Sequence, residues 1–171
     1  RDCIALYRRW RGNGNGDRNY LIARCSAKSV FNYRDKPMLL SSQESMIQDA
    51  ARQYVQQKIV PFSAQWDREK IFPKEALKGL GELGFYGMLV PEQWNGSEIG
   101  YFSAALVLEE IAAGDAACST IISVTNSVGC MPILNFGSNR QKENFLKPLA
   151  AGKQLAAFCL TEPHAGSDAS D

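Results

Sequence analysis

Apolar and polar residues alternate at helical spacing along most of this chain, and the period changes only once, near its far end. In "SSQESMIQDAARQYVQQKIVPFSAQWDREK", Ile47, Ala51, Tyr54, Val55, Ile59 and Phe62 recur at three- and four-residue intervals, which predicts an amphipathic helix. Ser41, with Glu44 three residues on, makes a capping box at its start. Pro61 is expected to kink or divide it. A second helix is predicted to open at Pro73, a favoured first helical position, and to run through "KEALKGLGEL" to a stop at Gly84. The turn-rich "VPEQWNGSEIG" follows as a loop.

The next stretch, "YFSAALVLEEIAAG", is apolar nearly all round and reads as a buried central helix, with Glu109 and Glu110 as exceptions. "DAACSTIISVTNSVGCMPILNFG" reads as another apolar helix, its later part broken by Pro132 and Gly137. In "SNRQKENFLKPLAAG", Ser138 caps a short helix with Gln141 at the third position, and the helix ends around Pro148 and Gly152. Then the pattern shifts: "QLAAFCLTE" has the look of a buried strand. A strand needs a neighbour to satisfy its backbone, and no other is evident. The fold class expected is therefore mostly α, with this strand opening a second, β, domain. The domains expected are an arm over 1–36, a helical domain over 37–152 and the start of a β domain over 153–171.

Composition changes this picture at one place. The apolar fraction of 45% and charged fraction of 22% are those of a soluble globular protein, and no run approaches the roughly 18 consecutive apolar residues of a membrane span. The net charge of +1 gives no overall preference for nucleic acid or anionic lipid. Yet residues 1–36 carry net +6 and residues 37–171 net −5. The first segment also contains the helix-incompatible "RGNGNGDRN", so it reads as a mobile basic arm. With seven Arg but two Ser, and with Asp2, Asp17 and Asp35, it makes a poor transit peptide. Because the sequence begins at Arg1, an over-extended or unordered leader is the reading favoured. The five cysteines, Cys3, Cys25, Cys118, Cys130 and Cys159, form no CxxC pair, which fits a reducing compartment rather than a disulfide framework or zinc site.

The candidate chemistry lies in "LTEPHAGSD". Pro163 and Gly166 force a turn straight after the apolar run, Thr161 and Ser167 offer hydroxyls, and backbone N–H groups at Gly166 through Asp168 are placed to form an anion-binding nest. An ordinary strand-end turn is the competing reading. From about Ser41 to Ser170 the sequence resembles the N-terminal part of an acyl-CoA dehydrogenase. The resemblance rests on "CLTEPHAGSD", supported in order by "LGFYGMLVPEQWNG", "ALVLEEIAAGDAACST" and "NSVGCMPILNFGSNRQKENFLKPLAAGK". Asp171 departs from it, since the family usually has a small residue there.

The resemblance implies an FAD cofactor, with Phe158, Leu160 and Thr161 against the flavin ring and Gly166 and Ser167 near its pyrophosphate. It also implies an acyl-CoA substrate touched by Ser167, with Thr120, Ile121, Val124 and Val128 along the acyl chain. Those four positions share one helical stripe, and such stripes are commonly plain core. The reaction implied is oxidation of an acyl-CoA thioester to the 2,3-enoyl-CoA, with electron-transfer flavoprotein as acceptor and a dimer or tetramer as the assembly. No metal is expected. The family's catalytic base belongs to a C-terminal domain, so no catalytic residue is assigned here, and the 171-residue chain alone is expected to be inactive.

Other candidates carry less. His164 is the one histidine, so no histidine-based triad or metal cluster can be built, and it is expected to face solvent. Adjacent residues on a helix diverge, so Glu109 and Glu110 are expected to anchor or to meet an interface rather than share acid–base work. Glu162 is read as positioning the turn. The competing function is a truncated, inactive paralogue serving as a helical interaction module. Nucleic-acid binding through the arm ranks last, lacking a reader motif. The compartment expected is bacterial cytoplasm, with the mitochondrial matrix as the alternative.

Overall fold

The computed structural model describes residues 40–168. The basic arm, Cys3, Cys25 and Asp171 lie outside the described residues. The body is helical, and among the described residues there is no strand. Helix α1 (Ser42–Lys58) starts at the expected capping box: the Glu44 N–H donates to Ser41 Oγ, and the Ser41 N–H to the Glu44 carboxylate at 2.7 Å. That backbone bond and the Ser41 hydroxyl hold the Glu44 carboxyl below its usual pKa. Pro61 divides rather than kinks. The chain breaks at Ile59 and resumes as α2 (Val60–Glu69), with the proline in the first turn, where its missing N–H costs nothing.

Helix α3 (Lys74–Glu82) begins one residue later than expected, Pro73 serving as its N-cap. It closes in a complete Schellman motif. Gly84 takes φ +79°, its N–H donates to Gly81 O, and the Phe85 N–H reaches back to Leu80 O. Loop 84–99 then folds back on itself through Ser97 N–H to Gly87 O and Ile99 N–H to Met88 O. Gly96 is required there, because a Cβ would lie 1.8 Å from Val90 O.

Helix α4 (Gly100–Gly114) packs against both α1 and α5 (Ala116–Val124). Its burial is one-sided rather than all round. Ser103, Ala104, Leu106, Val107 and Ile111 are buried, whereas Tyr101 and Phe102 are exposed. Of the two carboxylates expected to anchor or to meet an interface, Glu110 anchors: it accepts from Gln48 Nε2 at 2.9 Å and from Arg52 Nη2 at 2.7 Å, tying α4 to α1. The same pairing raises the Arg52 pKa. Glu109 is exposed.

Pro132 does not break the next helix. α5 passes through a π-helical turn (Thr125–Cys130) into α6 (Met131–Phe136), giving one continuous helix, Ala116–Phe136, that ends at Gly137. Pro132 sits in the first turn of α6 directly after the widened stretch, which accommodates its lack of an N–H. By length and composition this helix could cross a membrane. Here Cys118 and Ile122 pack into the main core with Leu80, Met88 and Val107, and Cys130 into a second cluster with Val90, Leu146 and Leu149. A last helical stretch, α7 (Asn139–Gln141), a second π-helical turn (Lys142–Leu146) and α8 (Lys147–Ala150), starts at the Ser138–Gln141 capping box and ends at Gly152, φ +67°. Lys142 and Lys147 both lie over the Trp94 ring, 5.9 and 5.6 Å from its centroid.

Residues 154–162 do not form the expected buried strand, and the run 153–168 that contains them is without regular structure. They are irregular and mostly exposed, Cys159 included. The physical reason is the one that made the strand conspicuous: with no second extended segment among the described residues, its backbone has no ladder to join.

Candidate functional site

The site begins with what fixes the roll of helix α5–α6. Asp115 caps its start, accepting from the Cys118 N–H at 2.8 Å and from the Ser63 hydroxyl at 2.6 Å. Burial pushes the Asp115 pKa up, but the hydrogen bonds from Ser63 and Cys118 outweigh it, and the net shift is down. Eleven residues further, Asn126 is buried inside the π-helical turn. Its Oδ1 accepts the Met88 N–H at 2.8 Å, and its Nδ2 donates to Phe85 O at 2.8 Å and Ile122 O at 3.0 Å. One amide thus locks the helix to loop 84–99.

With Cys118, Ile122, Thr125, Asn126, Gly129 and Cys130 turned inward, the predicted acyl stripe falls on the other side. Thr120 is exposed, its hydroxyl donating to Ala116 O. Ile121 and Val124 are half-buried, Ile121 against the main core, and Val128 is 37% exposed. None of the four is fully buried, and Ile121 alone of them packs on the main core. The same outward side leads on to Phe136, 88% exposed.

The predicted flavin-facing segment meets this helix at Ala156. Ala156 lies directly on Gly129, and it also packs on the second apolar cluster. Beyond it, Phe158 and Leu160 are about half exposed. The Glu162 N–H donates to Ala165 O at 2.9 Å and the Ala165 N–H to Glu162 O at 3.2 Å, closing a two-residue turn over Pro163 and His164. His164 is exposed, as expected. Among the described residues, the backbone N–H groups of Thr161, Gly166 and Ser167 make no hydrogen bond, and nothing lies within 4 Å of where a Cβ on Gly166 would stand. Free donors, two exposed hydroxyls and an open approach at Gly166 suit a phosphate or the polar edge of a heteroaromatic ring. Half-exposed Phe158 and Leu160 offer an apolar face beside them. This donor set fits a flavin nucleotide.

A cavity of about 600 Å³ lies elsewhere, between α3 and residues 151–155, lined by Phe72, Leu77, Tyr86 and Leu155 among others. None of the predicted site residues reaches it. Cys118 and Cys130 offer no nucleophile: burial pushes their thiols up to about 12 and about 11. Among the described residues no group of three or more His, Cys, Asp or Glu side chains could hold a metal ion. Asn126, Gly129 and Ala156 were not among the residues singled out by sequence. The signal for the first was available, as an amide within an otherwise apolar helical run.

Residues 41–153 match the model of the acyl-CoA dehydrogenase N-terminal domain. The chain belongs to the acyl-CoA dehydrogenase family. It is 39% identical over 130 residues to the mitochondrial short-chain specific acyl-CoA dehydrogenase of Rattus norvegicus, covering 76% of this chain and 32% of that protein. It is 41% identical to the glutaryl-CoA dehydrogenase of Desulfococcus multivorans over 75% of this chain and 34% of that one. The crystal structure of an acyl-CoA dehydrogenase complexed with FAD from Bacillus anthracis superposes with a TM-score of 0.71 at 32% identity, covering 78% of this chain and 23% of that one. The chain thus spans about a third of the length of the curated relatives it matches.

Proposed function

We propose that this chain supplies the helical acyl-binding side, and one wall of the flavin site, in an FAD-dependent oxidation of an acyl-CoA thioester to the 2,3-enoyl-CoA. The observation that carries this reading is the Ala156–Gly129 contact. It brings the turn with free donors onto the same helix that presents the partly open stripe. A helical domain ending near residue 152, followed by a segment belonging to a second domain, fits the change from packed helices to the irregular run at 153–168. The family's usual acceptor, electron-transfer flavoprotein, completes the proposal.

In this reading the Thr161 hydroxyl and N–H donate to the polar edge of the isoalloxazine, Phe158 and Leu160 pack near the ring, and Gly166 and Ser167 approach the pyrophosphate. When bound, the flavin supplies the two-electron acceptor for the hydride leaving Cβ of the acyl chain. Ser167 also orients the thioester. Thr120, Ile121, Val124 and Val128 shield an aliphatic chain from water, their β-branched side chains giving a stiff wall. Proton abstraction from Cα is left to a carboxylate outside these residues.

The test is made on the intact flavoprotein that contains this chain. It should purify with a flavin chromophore that is bleached by an acyl-CoA. Thr161→Ala and Ser167→Ala should each weaken FAD binding about fivefold, the value of one hydrogen bond of about 1 kcal/mol. A protein that neither carries nor takes up flavin would refute the proposal.

A further inference from the structure

Among the described residues, no hydrogen bond joins residues 155–161 to the helical body. The register of that segment on helix α5–α6 therefore rests on packing, and at Gly129 that packing is close. A Cβ built there would lie 2.4 Å from the Ala156 Cβ, about 1 Å short of ordinary contact, and 3.3 Å from Val124 O. Gly129 is buried, and it is flanked by Val128 and, one π turn back, by Val124. Ala156 precedes Phe158 by two residues and Leu160 by four. One small-on-small contact thus joins the flavin-facing segment to the helix whose opposite side carries the stripe.

We propose that Gly129 is a positioning residue: its contact with Ala156 sets the separation between the flavin-facing segment and the acyl-facing stripe. The inference rests on the functional reading above. Any side chain at Gly129 must push the segment outward, since the helix beneath is held by Asn126 and by Cys130 in the second cluster. A shift of about 1 Å in relative placement costs on the order of a hundredfold in rate when two reactants must meet at van der Waals distance. Binding of each reactant to its own wall is affected far less, so the loss falls on kcat and leaves KM nearly unchanged.

The experiment uses the intact flavoprotein with four variants: Gly129→Ala, Ala156→Gly, the two combined, and Ala156→Val. The last adds the bulk from the irregular segment, which has no helix to break, and covers the case in which Gly129→Ala does not fold. The readouts are kcat, KM, the visible circular dichroism of the flavin, and hydrogen exchange across 154–161. Gly129→Ala and Ala156→Val should lower kcat by about a hundredfold, alter the flavin dichroism and speed exchange in that segment. The combined variant should regain most of the rate, because the methyl group has only changed sides. An active wild type whose Gly129→Ala variant keeps its kcat, or whose combined variant is no better than the single one, overturns this inference alone. A wild type without flavin or without acyl-CoA oxidation overturns it together with the functional reading.

Discussion

Replacing Asn126 probes the joint on which the candidate site is mounted. In Asn126→Ala two buried groups lose their partner, the Met88 N–H and the Phe85 carbonyl, both held at 2.8 Å. Each unpaired buried group costs about 1–3 kcal/mol, and the excised amide leaves a small void, so the variant should lose roughly 3–5 kcal/mol. That is a large share of the 5–15 kcal/mol typical of a domain, and for a chain of this size it corresponds to a fall in Tm of about 10 °C. Asn126→Asp is the sharper variant. It keeps the acceptor for Met88 but turns an oxygen toward the carbonyls of Phe85 and Ile122. Burial and those carbonyls favour the protonated acid, so its folded pKa lies above the unfolded value of about 3.9. The variant is then nearest to wild type below pH 4, loses stability as the pH rises, and shows its full loss once the pH passes the folded pKa. Urea unfolding followed by circular dichroism at pH 4 and pH 7, with wild type at each pH, measures both effects. A cost below about 1 kcal/mol for alanine, or a pH-independent gap for aspartate, would refute the reasoning.

Three further outcomes are expected. Asp115 has a depressed folded pKa, so its contribution to stability is complete above about pH 4 and disappears as the pH falls through the folded value. Asp115→Asn keeps the cap but should remove that part of the acid dependence in thermal melts, whereas Asp115→Ala should cost about 1 kcal/mol near neutrality. Gly96→Ala forces a Cβ into the Val90 carbonyl and should cost about 3 kcal/mol or more, read as a drop in Tm. Brief iodoacetamide treatment of the native protein should label exposed Cys159 and spare Cys118 and Cys130, as read by peptide mass spectrometry.

Much of the fold was readable because its punctuation is local. Both capping boxes and the stops at Gly84, Gly137 and Gly152 each depend on a few neighbouring residues, and each stands where the pattern put it. That one of the two adjacent carboxylates in an apolar run would serve as an anchor was legible, but not that it would be Glu110 rather than exposed Glu109. The π-helical turns were hidden, since a one-residue widening leaves the 3.6-residue period almost unchanged. The helix was consequently expected to break at Pro132. Nor could an all-round apolar helix disclose which side faces the core: its roll is set by Asn126 through contacts 38 and 41 residues away. The stretch at 154–162 misled for the same reason. An apolar run becomes a strand only beside another, and that partner is not a local property.

The clasp between α1 and α4 has a consequence for the order of events during synthesis. Gln48 and Arg52 wait for Glu110, and the apolar face of Ala51, Val55 and Ile59 waits with them. A capped helix of 17 residues is marginal on its own in water. At 5–20 residues per second, its partner reaches the ribosomal exit about 3–12 s later. For that interval α1 is a nascent, sticky amphipath, and a chaperone that holds apolar segments has its window there, before α4 arrives and closes the body.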